Sequence, residues 1–275
     1  MNTKVAVVTG GASGIGYALA QRFLADGMSV VIGDVEQGAL EAAVTRLGAA
    51  AHGMTVDVAD RSSVDALRDY ACALFGRVDV VCNNAGIGGG DSRAWEMPSS
   101  AWDRVMAVNF GGVLNGVRSF LPLLLEQRGG HVVNTASMAG LIAGPQMAAY
   151  NVSKSAVVAL SETLFHDLRE LDVGVGVSVL CPGFVATNII DSHRNWPAEA
   201  GPPPDDVSAH DPARRAELRA LLAGGMQPAE VATHVIDAIS QNRLWVLPSP
   251  QMRPLVTERA DQIVTARNPD TSPYL

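Results

Sequence analysis

The chain has 275 residues, 48% of them hydrophobic and 17% charged, with 20 basic and 28 acidic side chains and a formal net charge of −8. That length supports a well-buried core, and the composition excludes a disordered chain. An acidic balance repels phosphate backbones and argues against a nucleic-acid partner. The charged fraction is below the usual quarter, which points to further burial between subunits. Cys72, Cys82 and Cys181 cannot all pair and lie in apolar runs, the usage expected of reduced thiols in a cytoplasm. No apolar run reaches 18 residues and the start, MNTKVAVVTGG, lacks a secretory-leader pattern, so no membrane partner is expected.

In chain order, Lys4–Thr9 reads as a buried strand, followed by a glycine turn and an amphipathic run from Ile15 to Asp26. Ser29–Gly33 is a second strand and Gln37–Leu47 a second helix; Met54–Val58 is a third strand, with Ser62–Phe75 its helix. Val78–Cys82, His131–Thr135 and Val175–Leu180 supply further strands, separated by helical patterns over Ser100–Gln127 and Tyr150–Glu170. After Thr187 the rhythm breaks. Trp196, the proline triplet Pro202–Pro204 and Asp205–Asp206 precede a helical run, Pro212–Leu222. Pro228–Ser240 reads as a helix, Leu244–Leu247 as a last strand and Val256–Ala266 as a terminal helix. Strands without strict alternation are covered on both faces, as parallel sheets with crossover helices require. The expected fold is therefore one α/β domain over residues 1–275, a Rossmann-like doubly wound parallel sheet with helices on both faces and its ligands at the carboxyl ends of the strands. Residues 188–226 form an inserted segment whose proline and glycine content (Gly201, Gly224, Gly225) and apolar Ile189, Ile190 and Trp196 suit a lid. A disordered surface excursion is the competing reading, favoured by the polar stretch Asp205–Asp211.

The first strand runs into Thr9-Gly10-Gly11-Ala12-Ser13-Gly14-Ile15-Gly16. Glycines there let the backbone turn tightly and let a pyrophosphate approach amides at a helix N-terminus. The spacing G-x-x-x-G-x-G departs from G-x-G-x-x-G, so the turn alone is a weak signal. Asp34 ends the second strand eighteen residues beyond Gly16, where a carboxylate accepts hydrogen bonds from an adenosine ribose. It also repels a 2′-phosphate, and no Lys or Arg occurs at Gly11–Ser13, Val35 or Glu36 to bind one. NAD is favoured over NADP. The same residue is also compatible with a plain helix N-cap.

Tyr150-Asn151-Val152-Ser153-Lys154 puts a phenol and an ammonium four apart, on one helix face. A nearby ammonium and a cationic ring favour the phenolate, although as an isolated pair the motif is common on surfaces. Ser137 sits just beyond the His131–Thr135 strand. The histidines never recur at i, i+4, the cysteines lack C-x-x-C spacing, and Ser137 is not in G-x-S-x-G. Metal and nucleophile-elbow chemistries are therefore not expected.

These motifs together resemble the short-chain dehydrogenase/reductase family in its compact single-domain branch. The likeness spans Lys4 to Thr187: the glycine turn with Gly10, Ser13, Gly14, Ile15 and Gly16; Asn83-Asn84-Ala85-Gly86; and Asn109, Ser137, Tyr150 and Lys154 in the places of a catalytic tetrad. The resemblance implies Tyr150 as general acid/base, Ser137 orienting the substrate oxygen, Lys154 holding the nicotinamide ribose and lowering the Tyr150 pKa, and Asn109 holding a relay water. It implies cofactor contacts from Asp34 and Val35, from Asp57 and Val58, from Asn84, Ala85 and Gly86, and from Pro182, Gly183, Val185 and Thr187. Met138, Ile142, Gln146 and Met147, with Phe184, Ile189 and Trp196, are the candidate substrate-lining groups and favour a hydrophobic alcohol. The implied activity is NAD-dependent interconversion of a secondary alcohol and its ketone. The alternatives are an NADP-dependent carbonyl reductase and a non-catalytic NAD-binding redox sensor. Relatives of this kind form homodimers or homotetramers, and Val113, Val117, Phe120, Val157, Leu160 and Leu164 are the apolar positions that could either cover the sheet or pair across a two-fold axis.

Overall fold

Seven short runs, most of them β-branched, become the strands of one sheet in the computed structural model, which describes residues 3–89, 92–196 and 212–269. They are β1 (Val5–Thr9), β2 (Ser29–Asp34), β3 (Ala51–Thr55), β4 (Val80–Asn83), β5 (Gly130–Thr135), β6 (Val175–Leu180) and β7 (Trp245–Val246). All pairings are parallel, in the order β3-β2-β1-β4-β5-β6-β7. The strand order reverses between β1 and β4, which opens a crevice at their carboxyl ends.

Every residue of β1, β4 and β6 is buried, because helices cover both faces. On one face α1 (Gly14–Ala25), α2 (Gln37–Leu47) and α8 (Pro228–Ser240) bring Leu19, Phe23, Leu40, Val231 and Val235 onto Ala6, Val8 and Ile32. On the other, α3 (Arg61–Phe75), α5 (Gly112–Gln127) and α6 (Ala148–Leu171) pack Leu67, Val117, Phe120, Leu124 and Leu168 against Val7, Val31, Val132 and Val177. Alternate β1 residues thus serve opposite cores, and each large side chain fully buried this way contributes about 1.5–3 kcal/mol. Val113, Val117, Phe120 and Val157 are among the buried residues. These four were candidates for pairing between subunits and are instead consumed by the chain's own core; Leu160 and Leu164 are only partly covered.

Most elements shift by one or two residues at their ends, and three differ more. The third strand runs over Ala51–Thr55 rather than Met54–Val58, since Gly48 (φ +90°) ends α2 and returns the chain to the sheet early. Small residues there masked the strand, and Asp57 and Val58 fall in the loop beyond it. The Ser100–Gln127 pattern is two helices, α4 (Ser99–Met106) and α5, joined by a π-helical segment, Ala107–Gly111, that carries Asn109. Such a segment accommodates an extra residue and re-aims the side chains it holds. Ser99–Gln127 is long and apolar enough to cross a membrane, with a mean hydropathy of 1.2, but Val108, Val117, Phe120 and Leu124 on it face the sheet core. The terminal helix, α9, runs Arg253–Val264.

After β6 the chain makes a 3₁₀ turn, Ile189–Asn195, and later α7 (Pro212–Ala223). The base of this excursion is tied: Val185 bridges Met226, and Met226 N donates to Phe184 O at 3.0 Å. A Cβ on Gly225 would sit 2.5 Å from Phe184 O, so glycine permits the close approach. Asp191 accepts from Arg215 and Arg219 (3.3 and 2.6 Å), joining the turn to α7. Gly201, Pro202–Pro204 and Asp205–Asp206 lie outside the described residues.

Candidate active site

The crevice at the strand reversal is floored by the loop after β1. Gly10 (φ +63°) and Gly14 (φ +53°) adopt the left-handed region, and a Cβ on Gly16 would lie 2.1 Å from Gly10 O. These glycines leave α1 starting at a bare backbone cradle with its amides toward the crevice, the arrangement that suits a phosphate group. Thr9 locks the adjoining loop in place: its Oγ1 accepts from Asn84 N (2.9 Å) and Ala85 N (3.1 Å), while Asn84 Nδ2 donates to Thr9 O. Asn83 faces away from the crevice and donates to Asn134 Oδ1 at 2.9 Å, joining β4 to β5.

Asp34 stands at the crevice edge. Its Oδ2 accepts from Ala12 N (3.0 Å) and its Oδ1 from Glu36 N (3.1 Å). The cap of α2 is Glu36 itself, so the Asp34 carboxylate fixes the turn before the helix and does not cap it. Asp57 accepts from Arg104 of α4 at 3.1 Å. Glu36 is paired with Arg194, whose guanidinium, with Asn195 beside it, holds the Glu36 carboxyl below the usual carboxylate range.

At the far end, α6 carries Tyr150 and Lys154 one turn apart, and the 3₁₀ turn Met138–Gly140 presents Ser137. Lys154 is 2% exposed, donates to Thr135 O at 3.0 Å and lies 5.7 Å from the centre of the Tyr150 ring. Burial pushes its pKa down to about 8, against the opposing pull of Cys181. Burial also raises the Tyr150 phenol, with the Ser137 hydroxyl opposing through a hydrogen bond. Without a cofactor, burial is the larger influence on the phenol, and the Lys154 ammonium that the sequence pairs with it stands over the ring.

Asn109 is fully buried and does not reach the crevice wall. Its Oδ1 accepts from Ile87 N (2.8 Å), and its Nδ2 donates to Ile87 O (3.0 Å) and Ser153 Oγ (3.2 Å). It clamps the loop after β4 to α6. Gly86 keeps the space beside it open, since a Cβ there would lie 3.3 Å from Asn109 Oδ1 and 3.4 Å from Lys154 Nζ.

A cavity of about 610 Å³ runs from Asp34 and Val35 past Gly10, Ser13, Gly14, Ile15, Asp57, Val58, Asn84, Ala85 and Gly86 to Ser137, Tyr150 and Lys154. Pro182, Gly183, Val185 and Thr187 line it too, as do Met138, Ile142, Met147, Phe184, Ile189 and Trp196. Among the expected residues, Gly16, Asn109 and Gln146 do not line it; Gln146 occupies a left-handed turn (φ +60°) just before α6. Residues missed from sequence include Arg104, Met97, Met252, Leu218, Leu222, Ser192 and Arg194. Ser192, Arg194, Leu218 and Leu222 belong to the segment expected as a lid, whereas Arg104 and Met252 are brought to the site by tertiary contacts. Among the described residues no group of three or more His, Cys, Asp or Glu side chains converges as a metal site, and all three cysteines are free thiols.

The short chain dehydrogenase family model matches residues 4–198, and the chain belongs to that family of oxidoreductases. It is 31% identical over 273 residues to a CLA biosynthesis dehydrogenase/reductase of Lactiplantibacillus plantarum, covering 97% of this chain and 95% of that one. It is 39% identical over 202 residues to 3beta-hydroxysteroid dehydrogenase 2 of Eggerthella lenta, covering 72% and 76%. Among solved structures, a short chain dehydrogenase/reductase from Burkholderia phymatum in complex with NAD superposes with a TM-score of 0.93 at 40% identity, over 100% of this chain and 99% of that one.

Proposed function

We propose that this oxidoreductase uses NAD to interconvert a neutral, hydrophobic secondary alcohol and its ketone. The observation that carries the reading is a single cavity joining the Asp34 carboxylate and glycine turn at one end to Ser137, Tyr150 and Lys154 at the other. The residues present fit a dinucleotide. Side-chain-free backbone at Gly10 and Gly14 suits the pyrophosphate, and the Asp34 carboxylate suits a ribose with free hydroxyls. The Burkholderia relative with NAD bound supports that choice.

Bound NAD supplies the hydride acceptor, or the donor in the reverse direction. The chain's own residues do the rest. Ser137 donates to the substrate oxygen and orients it. Tyr150 takes the proton from the alcohol, or returns it to the ketone oxygen. Because burial raises the Tyr150 phenol, a cation must approach it before it can act as a base, and a positively charged nicotinamide ring meets that need. Lys154 holds the nicotinamide ribose, and Asn109 keeps the loop after β4 against α6, where a water can link Lys154 to solvent. Met97, Met138, Ile142, Met147, Trp196 and Met252 make the substrate end apolar, and the flexible methionines adapt to a bulky ring system. The cations near the mouth are already committed: Arg194 to Glu36, Arg215 and Arg219 to Asp191. Among the described residues, a substrate carboxylate or phosphate would have to displace one of these carboxylates to find an arginine there.

The whole chain acts as one NAD-binding unit with residues 188–226 as its lid, in a homodimer or homotetramer working in the cytoplasm. The direct experiment measures NADH and NADPH binding by fluorescence and then screens steroid and terpenoid alcohols, aliphatic secondary alcohols, hydroxy acids and polyols for NAD reduction. Preference for NADPH, or turnover confined to hydroxy acids and polyols, would overturn the reading.

A further inference from the structure

The 3₁₀ turn Ile189–Asn195 is pinned to the sheet at three places that straddle the crevice. At its root, Thr187 packs against Gly14 of the loop after β1, where a glycine Cβ would be 3.1 Å from Thr187 Cγ2. On the β4 side, Gly88 N donates to Ser192 Oγ at 2.8 Å. On the β2 side, Arg194 grips Glu36 with two parallel bonds, Nη2 to Oε1 at 2.6 Å and Nε to Oε2 at 3.2 Å, and Asn195 Nδ2 adds a third at 3.0 Å. Because β2 and β4 flank β1 in the sheet, these pins carry the turn across the glycine loop from one neighbour to the other.

The two outer pins are unequal. Gly88–Ser192 is one neutral hydrogen bond, whereas Glu36 receives a bidentate charge-assisted pair and an amide, the stronger arrangement. Arg194 is held in register from behind, its Nη1 donating to Asp191 O at 2.9 Å. Glu36 lies two residues past Asp34 and lines the same cavity. Its carboxylate is engaged by the turn, both oxygens accepting from Arg194 and Oε1 from Asn195 as well.

We propose that Glu36 is a cofactor-retaining positioning residue: through Arg194 and Asn195 it latches the Ile189–Asn195 turn over the glycine loop, so that a bound dinucleotide leaves only when this latch opens. The proposal rests on the reading of the cavity as a dinucleotide site. It gives the acidic residue after Asp34 a role separate from ribose recognition, and it couples the adenosine end of the crevice to the segment that walls the substrate end.

The test is the NADH dissociation rate, measured by stopped-flow displacement with excess NAD, in wild type, E36Q, R194Q and the double variant. Each single change is expected to speed release about fivefold, as loss of a half-exposed pair held by an extra hydrogen bond implies. The double variant should be no faster than either single one, because both remove the same latch. The charge swap E36R/R194E should recover at least half of the loss. If R194Q releases NADH at the wild-type rate while E36Q does not, Glu36 acts directly on the cofactor and the latch is refuted; multiplied effects in the double variant refute it as well. Amide exchange of residues 188–196 in the ligand-free protein separates this from failure of the dinucleotide reading. The latch requires faster exchange in E36Q than in wild type, and equal exchange overturns it whatever nucleotide binds. Wild type that binds no NADH, yet shows the exchange difference, would refute the dinucleotide reading and with it the retention role, leaving only the fastening of the turn.

Discussion

Replacing Lys154 with methionine should make the ligand-free protein more stable and the enzyme inactive. Lys154 is buried at 2% exposure and donates a hydrogen bond to Thr135 O. Burial takes its pKa from the ordinary 10.5 to about 8. A group whose folded pKa is depressed destabilises the native state fully below the folded value and is relieved as pH rises toward the unfolded one. At pH 7 the difference corresponds to about 3 kcal/mol against folding. Methionine has a similar length and no charge to desolvate; losing the bond to Thr135 O returns about 1 kcal/mol. The net expectation is a gain of about 1–2 kcal/mol at pH 7, narrowing by about 1 kcal/mol at pH 9 as the wild-type lysine sheds its proton. Urea unfolding of both proteins at the two pH values reads this directly, and NAD reduction with a working alcohol should fall at least about a hundredfold in parallel. A Lys154→Met protein less stable than wild type at pH 7, or a gap that widens with pH, would refute the argument that a functional charge is held at the expense of stability.

Tyr150→Phe removes the exchangeable proton while keeping the ring; NADH binding should persist and turnover should drop at least about a hundredfold, and a folded variant that still turns over would exclude Tyr150 as the acid/base. Asp34→Ala combined with Val35→Arg removes a repulsive charge and adds a phosphate partner, so the ratio of kcat/KM for NADP over NAD should rise; an unchanged ratio would remove Asp34 from cofactor selection. His131, buried on β5 with its Nε2 2.8 Å from Ser178 Oγ, has its pKa lowered by burial to about 4. It stabilises the fold while neutral, above the ordinary 6.5, and that contribution is lost as pH falls toward 4. Unfolding free energy should drop by about 2 kcal/mol between pH 7 and pH 5, and a His131→Gln variant that shows the same drop would locate the effect elsewhere.

The sheet and its helices were legible because their signals are local. Runs without polar alternation, such as Val5–Val8 within the expected Lys4–Thr9 strand, mark strands covered on both sides, and the Gln37–Leu47 helix appears with its expected bounds. The third strand was misplaced because Ala51, His52 and Gly53 carry no β-branched signal; its position is imposed by pairing with β2. The π segment at Ala107–Gly111 left no trace in a periodicity that reads straight through it. The glycine turn, Asp34 and the Ser137–Tyr150–Lys154 group were readable because each needs particular residue types at short spacings. The electrostatic links at the site were not. Arg104 meets Asp57 across 47 residues and Arg194 meets Glu36 across 158, and an arginine on a helix or turn looks the same in sequence whether it meets solvent or a distant carboxylate. The absence of a cation near Asp34 in sequence was thus true of the loop and not of the fold. Arg194 is brought to the Asp34 side of the crevice, and Glu36 pairs with it there. The electrostatics of this end of the cavity therefore divide between two carboxylates two residues apart in the chain: Asp34 fixes the loop after β1 through Ala12 N, and Glu36 fastens the Ile189–Asn195 turn through Arg194.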